Sequence, residues 1–314
     1  MTETEVTHII ELKKGNARLT LLPERGGAIG SWQSDQREIF YPCENENLAA
    51  QKGALIAGYP LFPYSNRIDQ GRFSFGHRDY QLSPNMVGCP HAIHGNSWEN
   101  PWKLSHKTDS HAILTFDFKP DNNEKSDPHW PFAYRATLVY QLFEKKLEIS
   151  LVIENRDQID QPVGFGFHPF IKCDPASTLS FKADNLWLMT EDGLPLELIE
   201  NKDEWSFSKP NHFYERDFDH VYSGWEGDII LNRGDNNPSV MVKADPVFSH
   251  LVIFSPKESD FVAIEPVTMM TDAINHPEIV ERGLHVLSPG KRMGGTISFE
   301  ILENVQTSRR KKTT

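Results

Sequence analysis

A histidine follows two glycines at alternate positions in residues 163–170, whose sequence is VGFGFHPF. In an extended strand alternate residues share one face, so Gly164, Gly166 and His168 would lie opposite an entirely apolar face. Glycine in a strand often marks the close approach of a ligand or of another backbone. His168 is therefore a candidate acid or base facing a cavity. A core histidine bonded to a backbone carbonyl is an equally good interpretation of this segment alone.

A glutamate ends the strand-like run of residues 261–265 and precedes Pro266. Proline favours extended geometry in the residue before it and tends to end a strand ladder. Glu265 would share a face with Phe261 and Ala263, and its carboxylate would reach either solvent or a cleft. In a cleft, the loss of solvation would raise the pKa of Glu265 towards that of a useful general base.

Two further segments combine polar and aromatic residues. In the first, residues 64–69, Asn66 is a turn former and Arg67 carries five donors for hydroxyl or carboxylate oxygens. The second segment places His94 before a glycine, with Trp98 nearby as a possible platform for a sugar ring. Sugar chemistry needs an acid, a base, hydroxyl-binding groups and an aromatic wall, so the four segments together favour a carbohydrate site. Trp98 and its neighbour Trp102 could equally be core residues.

Cys89, His91 and His94 are close enough in sequence to suggest metal ligands. Zinc sites need a fourth ligand or an open water position, and they usually recur as paired knuckles. The sequence shows no second knuckle, so metal binding is the weaker interpretation. Whether His91 lines a pocket or belongs to a loop stays open.

The elements that must position these residues are predicted to be strands. Short β-favouring runs parted by polar turns recur along the chain, and long stretches with apolar residues at a spacing of 3.6 are hard to find. Residues 271–283 could hold one or two helical turns. We predict a single large antiparallel β-sandwich over residues 1–305, with few short helices, followed by a basic, flexible tail at 306–314. The predicted strands include residues 112–118, 136–142, 147–153, 251–254, 261–265 and 296–302.

Composition narrows the possible partners and the compartment. The chain has 314 residues, and 38% of them are hydrophobic, which is enough for a sizeable core. A net charge of −12 argues against nucleic acid as a partner. The apolar runs are only as long as strands and the N-terminus lacks an apolar signal region, so we expect neither a membrane partner nor secretion. Three cysteines without CxxC spacing favour a reducing cytoplasm.

Five short motifs occur in order along the chain: Asn66-Arg67-Ile68, His94-Gly95, His168-Pro169-Phe170, Asp219-His220 and Glu265-Pro266. This series resembles the aldose 1-epimerase (galactose mutarotase) family. The resemblance covers nearly the whole chain and implies a large β-sandwich with the sugar in an open cleft. It also implies an isomerase that acts on a monosaccharide without a metal or organic cofactor, and we expect a monomer or homodimer.

Carried over residue by residue, the resemblance implies a role for each catalytic candidate. Glu265 would be the general base, His168 the general acid and His94 a second histidine beside the ring oxygen. Galactose-acting members often have His-Gly-Gly where this chain has Asn96 after His94-Gly95, so the reaction type is implied more strongly than galactose as its substrate. The candidate sugar-binding residues are Arg67, Asp219, Asn66 and Trp98.

Three other functions are compatible with parts of this pattern. A hexose-phosphate epimerase would need a cationic cluster at the cleft, for which Arg72 and Arg78 are the candidates near Arg67. A non-catalytic carbohydrate-binding protein would not need both an acid and a base. A glycoside hydrolase would need two carboxylates and would leave the candidate acid, His168, without a task.

Overall fold

The computed structural model of the protein describes residues 9–43, 56–121, 128–234 and 237–302. This part of the chain is built from antiparallel strands, and its helices are single 3₁₀ turns, so the predicted all-β class is confirmed. No helix in these ranges is long and apolar enough to cross a bilayer. The basic tail at 306–314 lies outside the described residues. The 3₁₀ turns are Asp69–Gly71, Ser97–Glu99, Asp203–Trp205, Ala273–Asn275 and Val280–Arg282.

The larger sheet contains eleven of the described strands. Its middle is formed by strands that are distant in sequence, and both ends are formed by hairpins. In order across the sheet, the strands are β1 (Ile10–Lys14), β2 (Ala17–Leu22), β3 (Ala28–Ser34), β5 (Gly58–Leu61), β15 (Gly166–Lys172), β24 (Phe261–Val267), β23 (His250–Ser255), β20 (Phe218–Ser223), β17 (Asn185–Met189) and β18 (Pro195–Glu200), with β4 (Arg37–Glu38) paired to β3.

The second sheet has nine described strands, and three two-stranded ribbons complete the set. In order across the second sheet, the strands are β10 (Lys103–Lys107), β11 (His111–Phe118), β12 (Tyr134–Leu142), β13 (Lys146–Asn155), β26 (Arg292–Leu302), β22 (Ser239–Ala244), β21 (Asp228–Asn232), β16 (Thr178–Phe181) and β19 (Asn211–His212). The ribbons pair β6 (Arg67–Ile68) with β9 (Ala92–Ile93), β7 (Arg72–Phe75) with β8 (Arg78–Gln81), and β14 (Gln161–Val163) with β25 (His285–Leu287).

The two large sheets pack face to face around an aromatic-rich core. Phe40, beside the larger sheet, meets Phe299 of β26 edge to face, with 5.0 Å between ring centroids. Tyr140 of β12 donates its hydroxyl to the carbonyl of Gly27 at 2.6 Å, just before β3. The contacts join the inner faces of the sheets, as a sandwich requires.

Each of the six predicted runs lies in a strand, and each of those strands is longer than the run. The predicted helical segment at 271–283 contains two of the 3₁₀ turns. Alternation made these strands of the second sheet recognisable, because β12 buries every other residue and β13 does so up to Ile153.

We expect Leu151→Ala to lower the free energy of unfolding by about 2–5 kcal/mol, because Leu151 is fully buried in β13 and its truncation leaves a cavity. Val152→Ala on the next, half-buried position should cost about 1 kcal/mol or less. Urea denaturation of the two variants and the wild type measures both values. Equal losses would contradict the assignment of the two residues to opposite faces.

Candidate active site

His168 and Glu265 meet at the centre of the larger sheet. His168 lies on β15 and Glu265 on β24, and the imidazole Nε2 is 3.2 Å from the carboxyl Oε1. The side chains are 8% and 3% exposed, so the two titratable groups face each other with little water around them. The structure therefore brings together the candidate acid and the candidate base.

The ladder between β15 and β24 is open beside this pair. Pro169 and Pro266 both lack an N–H group and cannot donate to the neighbouring strand. Paired positions occur only on either side of the opening, and continuing their register places His168 directly opposite Glu265. As expected for a proline, the ladder to β15 is interrupted at Pro266, while the strand continues to the next residue and its pairing with β23 is retained. On either side of the opening, β15 and β24 pair through Gly166 with Val267 and through Phe170 with Ala263. β24 pairs with β23 through Pro266 and Leu251.

Burial moves the pKa values of the two groups in opposite directions. It raises the pKa of Glu265 well above its ordinary value, with a further rise from Asp219 and an opposing effect of Arg67. It lowers the pKa of His168 to about 3. Both shifts favour uncharged forms, with the proton on the carboxyl group. The carboxylate–imidazolium form contains the same single proton and differs by one transfer across the 3.2 Å contact.

A second histidine, His94, lies against His168 with its ring oriented by the backbone. The ring centroids are 5.5 Å apart and the planes are nearly perpendicular. His94 Nδ1 accepts the backbone N–H of Asn66 at 3.1 Å, which leaves the proton of the neutral ring on Nε2. Burial, His168 and Arg67 all lower the pKa of His94 well below its ordinary value. His94 is therefore a neutral hydrogen-bond donor with a defined tautomer.

The position of His94 depends on a tight turn after β9. His94 and Gly95 both have left-handed backbones, with φ of 60° and 69°. A Cβ at Gly95 would collide with the backbone carbonyl of Phe62. Glycine is required at this position both for its conformation and for the close approach of the two chains.

Arg67, Asn66 and Asp219 form a polar group around one guanidinium. Arg67 Nη1 donates to Asn66 Oδ1 at 3.1 Å, and Nη2 lies 3.4 Å from Asp219 Oδ2. The Nε of Arg67 is buried and has no hydrogen-bond partner among the described residues. Because Arg67 and Asp219 both affect the pKa of Glu265, this group is electrostatically part of the same site.

An aromatic wall flanks His168, and its main member was not predicted. Tyr59 stacks on the imidazole with ring centroids 4.8 Å apart, and Trp98 is 5.6 Å from Tyr59. Trp98 is half-buried, whereas Trp102 is a core residue that packs on Phe116. Tyr59 was missed because β5 is a short, wholly buried run that suggests core alone. Only the pairing of β5 with β15 reveals its position.

Two further groups were singled out in the sequence: the possible metal ligands Cys89, His91 and His94, and the possible cationic cluster of Arg72 and Arg78. Within the described ranges, no group of three His, Cys, Asp or Glu side chains could hold a metal ion. Arg72 and Arg78 are exposed on the β7–β8 hairpin, where Arg72 Nε donates to Gln81 at 2.9 Å. Cys43, Cys89 and Cys173 all lie in the described ranges, and none of them forms a disulfide bond.

Comparison with known proteins gives a consistent result. A family model described as aldose 1-epimerase matches residues 8–300. An uncharacterized protein, YphB of Escherichia coli K12, is 23% identical over 301 residues, which cover 93% of this chain and 98% of YphB.

Two solved structures share the fold. A galactose mutarotase-like protein from Clostridium acetobutylicum has a TM-score of 0.84 at 19% identity, covering 95% of this chain and 96% of its own. A galactose 1-epimerase from Lactobacillus acidophilus NCFM has a TM-score of 0.76 at 16% identity, covering 96% of each chain.

We expect Glu265→Gln to change how stability depends on pH. A carboxyl group whose pKa is raised in the folded state stabilises the protein at low pH, and this contribution is lost as pH rises through the folded-state pKa. From about pH 5 upward, the wild type should therefore lose unfolding free energy relative to the variant, by at most about 1.4 kcal/mol per pH unit. Urea denaturation at several pH values measures the difference. The exposed Glu300→Gln is the matched control, and a Glu265→Gln curve parallel to wild type would contradict the expectation.

Proposed function

The chain belongs to the aldose 1-epimerase family, and from this premise we propose that it interconverts the α and β anomers of a free aldose. The observation that supports the proposal best is the 3.2 Å contact between His168 Nε2 and Glu265 Oε1 in a buried setting. Anomer exchange needs one proton removed and one delivered at neighbouring oxygens. A buried acid and base in contact are suited to that task.

In the proposed reaction, the carboxylate of Glu265 removes the proton of the anomeric hydroxyl. The bond between C1 and the ring oxygen breaks, the carbonyl forms at C1, and protonated His168 delivers a proton to the ring oxygen. Rotation about C1–C2 exposes the other face of the aldehyde. Closure then reverses both transfers: the ring hydroxyl attacks C1, His168 recovers its proton, and Glu265 returns its proton to the new anomeric hydroxyl.

The proton count of the pair is the same throughout the cycle. Ring opening converts the carboxylate–imidazolium form into the carboxyl–imidazole form, which is the form that burial favours. The pKa shifts therefore stabilise the protonation state that the pair has while the sugar is in its open-chain form. Closure of the ring restores the charged form in each cycle, and direct transfer across the 3.2 Å contact is needed only to convert the neutral pair of the free protein into the charged form.

The remaining site residues have binding roles in this proposal. His94 donates a hydrogen bond from its Nε2–H to the ring oxygen and stabilises the charge that develops there. Arg67 and Asp219 bind sugar hydroxyls, with Asn66 orienting the guanidinium. The half-buried Trp98 offers a ring face to the apolar side of the sugar, and Tyr59, packed between Trp98 and His168, supports both rings.

The charges of the site favour a neutral sugar over a phosphorylated one. The guanidinium of Arg67 is already shared with Asp219 and lies near Glu265. A hexose phosphate would bring two further negative charges to this acidic group. We accordingly propose free aldohexoses as substrates, with hexose phosphates as the second substrate class to be assayed. Cytoplasmic location is proposed on the cysteine content alone.

We expect the wild type to accelerate the exchange of freshly dissolved α-D-glucose or α-D-galactose, measured by polarimetry or proton NMR. Glu265→Gln should lower kcat by about 10²–10⁴-fold because it removes the base, and His168→Gln should do the same for the acid. The exposed Glu300→Gln is the control and should behave as wild type. Undiminished activity in Glu265→Gln would refute the assigned base. Sugar binding without acceleration of any aldose would favour a binding protein.

The pH dependence of kcat/KM should follow the shifted pKa values. The active pair holds one proton, so activity is lost above the raised pKa of Glu265 and below the pKa of His168, which burial lowers to about 3. We therefore expect no decline as pH falls from about 7 to 5. Exchange rates corrected for the spontaneous reaction at each pH provide the test. An acid limb centred near the ordinary histidine value of ~6.5 would contradict it.

A further inference from the structure

His91, which the proposed reaction does not use, is buried and has both ring nitrogens engaged. Nδ1 accepts the backbone N–H of Gln70 at 2.9 Å and lies 3.4 Å from Asp69 Oδ1. Because that bond uses the Nδ1 lone pair, the proton of the neutral ring is on Nε2. Nε2 is 3.2 Å from Asp192 Oδ2, to which it donates. Only 1% of His91 is exposed, so the ring connects two separate parts of the chain from a protected position.

Asp192 belongs to the turn at residues 190–194, which joins β17 to β18. The turn is internally bonded: Thr190 Oγ1 donates to Asp192 Oδ1 at 2.5 Å, and Gly193 N–H donates to the Thr190 carbonyl at 2.9 Å. Leu194 N–H donates to Thr190 Oγ1 at 2.9 Å. The turn therefore has a defined shape, and the His91 contact determines where its tip lies.

The tip of this turn rests on the guanidinium of Arg67. Gly193 has a φ of 80°, and a Cβ built on it would overlap Arg67 Cζ. β18 is the last strand of the larger sheet, so the turn has a sheet neighbour on one side only. The His91–Asp192 contact attaches the turn to the chain beside β9, outside the sheet.

We propose that His91 is a positioning residue for the sugar site, acting through Asp192 and Gly193 on Arg67. The kinetic consequence of this inference rests on the proposed function, in which Arg67 binds the sugar. The contact between His91 and Asp192 joins the β9 side of the cleft to the β17–β18 turn and holds the guanidinium in its binding position. Loss of the contact weakens sugar binding and leaves proton transfer at Glu265 and His168 intact.

Two single variants separate this role from general structural support. His91→Asn keeps an acceptor for the Gln70 N–H but is too short to reach Asp192. Asp192→Ala removes the same contact from an exposed residue with no loss of core packing, together with the bond from Thr190 inside the turn. Glu191→Ala is the matched control, because it removes the same charge from an exposed neighbour in the same turn.

We expect His91→Asn and Asp192→Ala each to raise KM by about three- to tenfold, with kcat within about twofold of wild type. The double variant should raise KM no further than Asp192→Ala alone, because the His91–Asp192 contact is already absent in that variant. Glu191→Ala should match the wild type. A fall in kcat with an unchanged KM, or fully additive effects in the double variant, would overturn the proposal.

Hydrogen exchange tests the same contact without any activity. The amides of Gly193 and Leu194 should exchange faster in His91→Asn and Asp192→Ala than in the wild type and in Glu191→Ala, since the turn opens more often once its attachment is lost. Equal exchange in all four proteins would overturn the positioning role whatever the kinetics. If the wild type interconverted the anomers of no aldose, the proposed function would be refuted. The hydrogen-exchange measurement would still decide the role of His91.

Discussion

The placement of an imidazole and a carboxyl group in contact inside a sheet, away from water, is the constraint that the rest of the site satisfies. Two unpaired charges there would be costly, so each group is driven towards its neutral form. A single proton shared across 3.2 Å gives the carboxyl group and the imidazole Nε2 a hydrogen-bond partner. The same arrangement would provide the acid and the base of the proposed anomer exchange, so the cost of burying the pair and its proposed function have one structural origin.

The fold meets this constraint with an interrupted ladder. Pro169 and Pro266 remove backbone donors on both strands beside the pair, and the outer neighbours β5 and β23 keep the two strands in the sheet. Tyr59 comes from β5 at the position opposite His168, so the strand that supports β15 also provides the aromatic wall. Sheet pairing and site assembly therefore depend on the same backbone registers.

Local patterns were sufficient for the fold class and for the candidate residues, and insufficient for their neighbours. Alternation in β12 and β13 predicted buried strands because burial follows a period of two. The two glycines before His168 and the proline after Glu265 marked unusual strand positions. The contact of Gly193 with Arg67 and the stacking of Tyr59 on His168 have no comparable pattern in the sequence. Both depend on how distant strands pair, and a register shift of one residue would turn each side chain to the other face.

Left-handed backbone conformations cluster around the binding half of the site, and they explain how short ribbons hold Arg67 in place. Asn66 and Asp272 have φ of 60° and 57°, values that asparagine and aspartate tolerate better than most residues. Asn66 N–H donates to the ring of His94, and the backbone N–H of Asp272 donates to the carbonyl of Arg67. The backbone of Arg67 is thus anchored through its own carbonyl and through the neighbouring Asn66. The close approach of Gly193 restricts the position of the guanidinium. The two-stranded β6–β9 ribbon would be marginal alone, and these backbone contacts stabilise the position of Arg67, which its proposed role in binding a sugar requires.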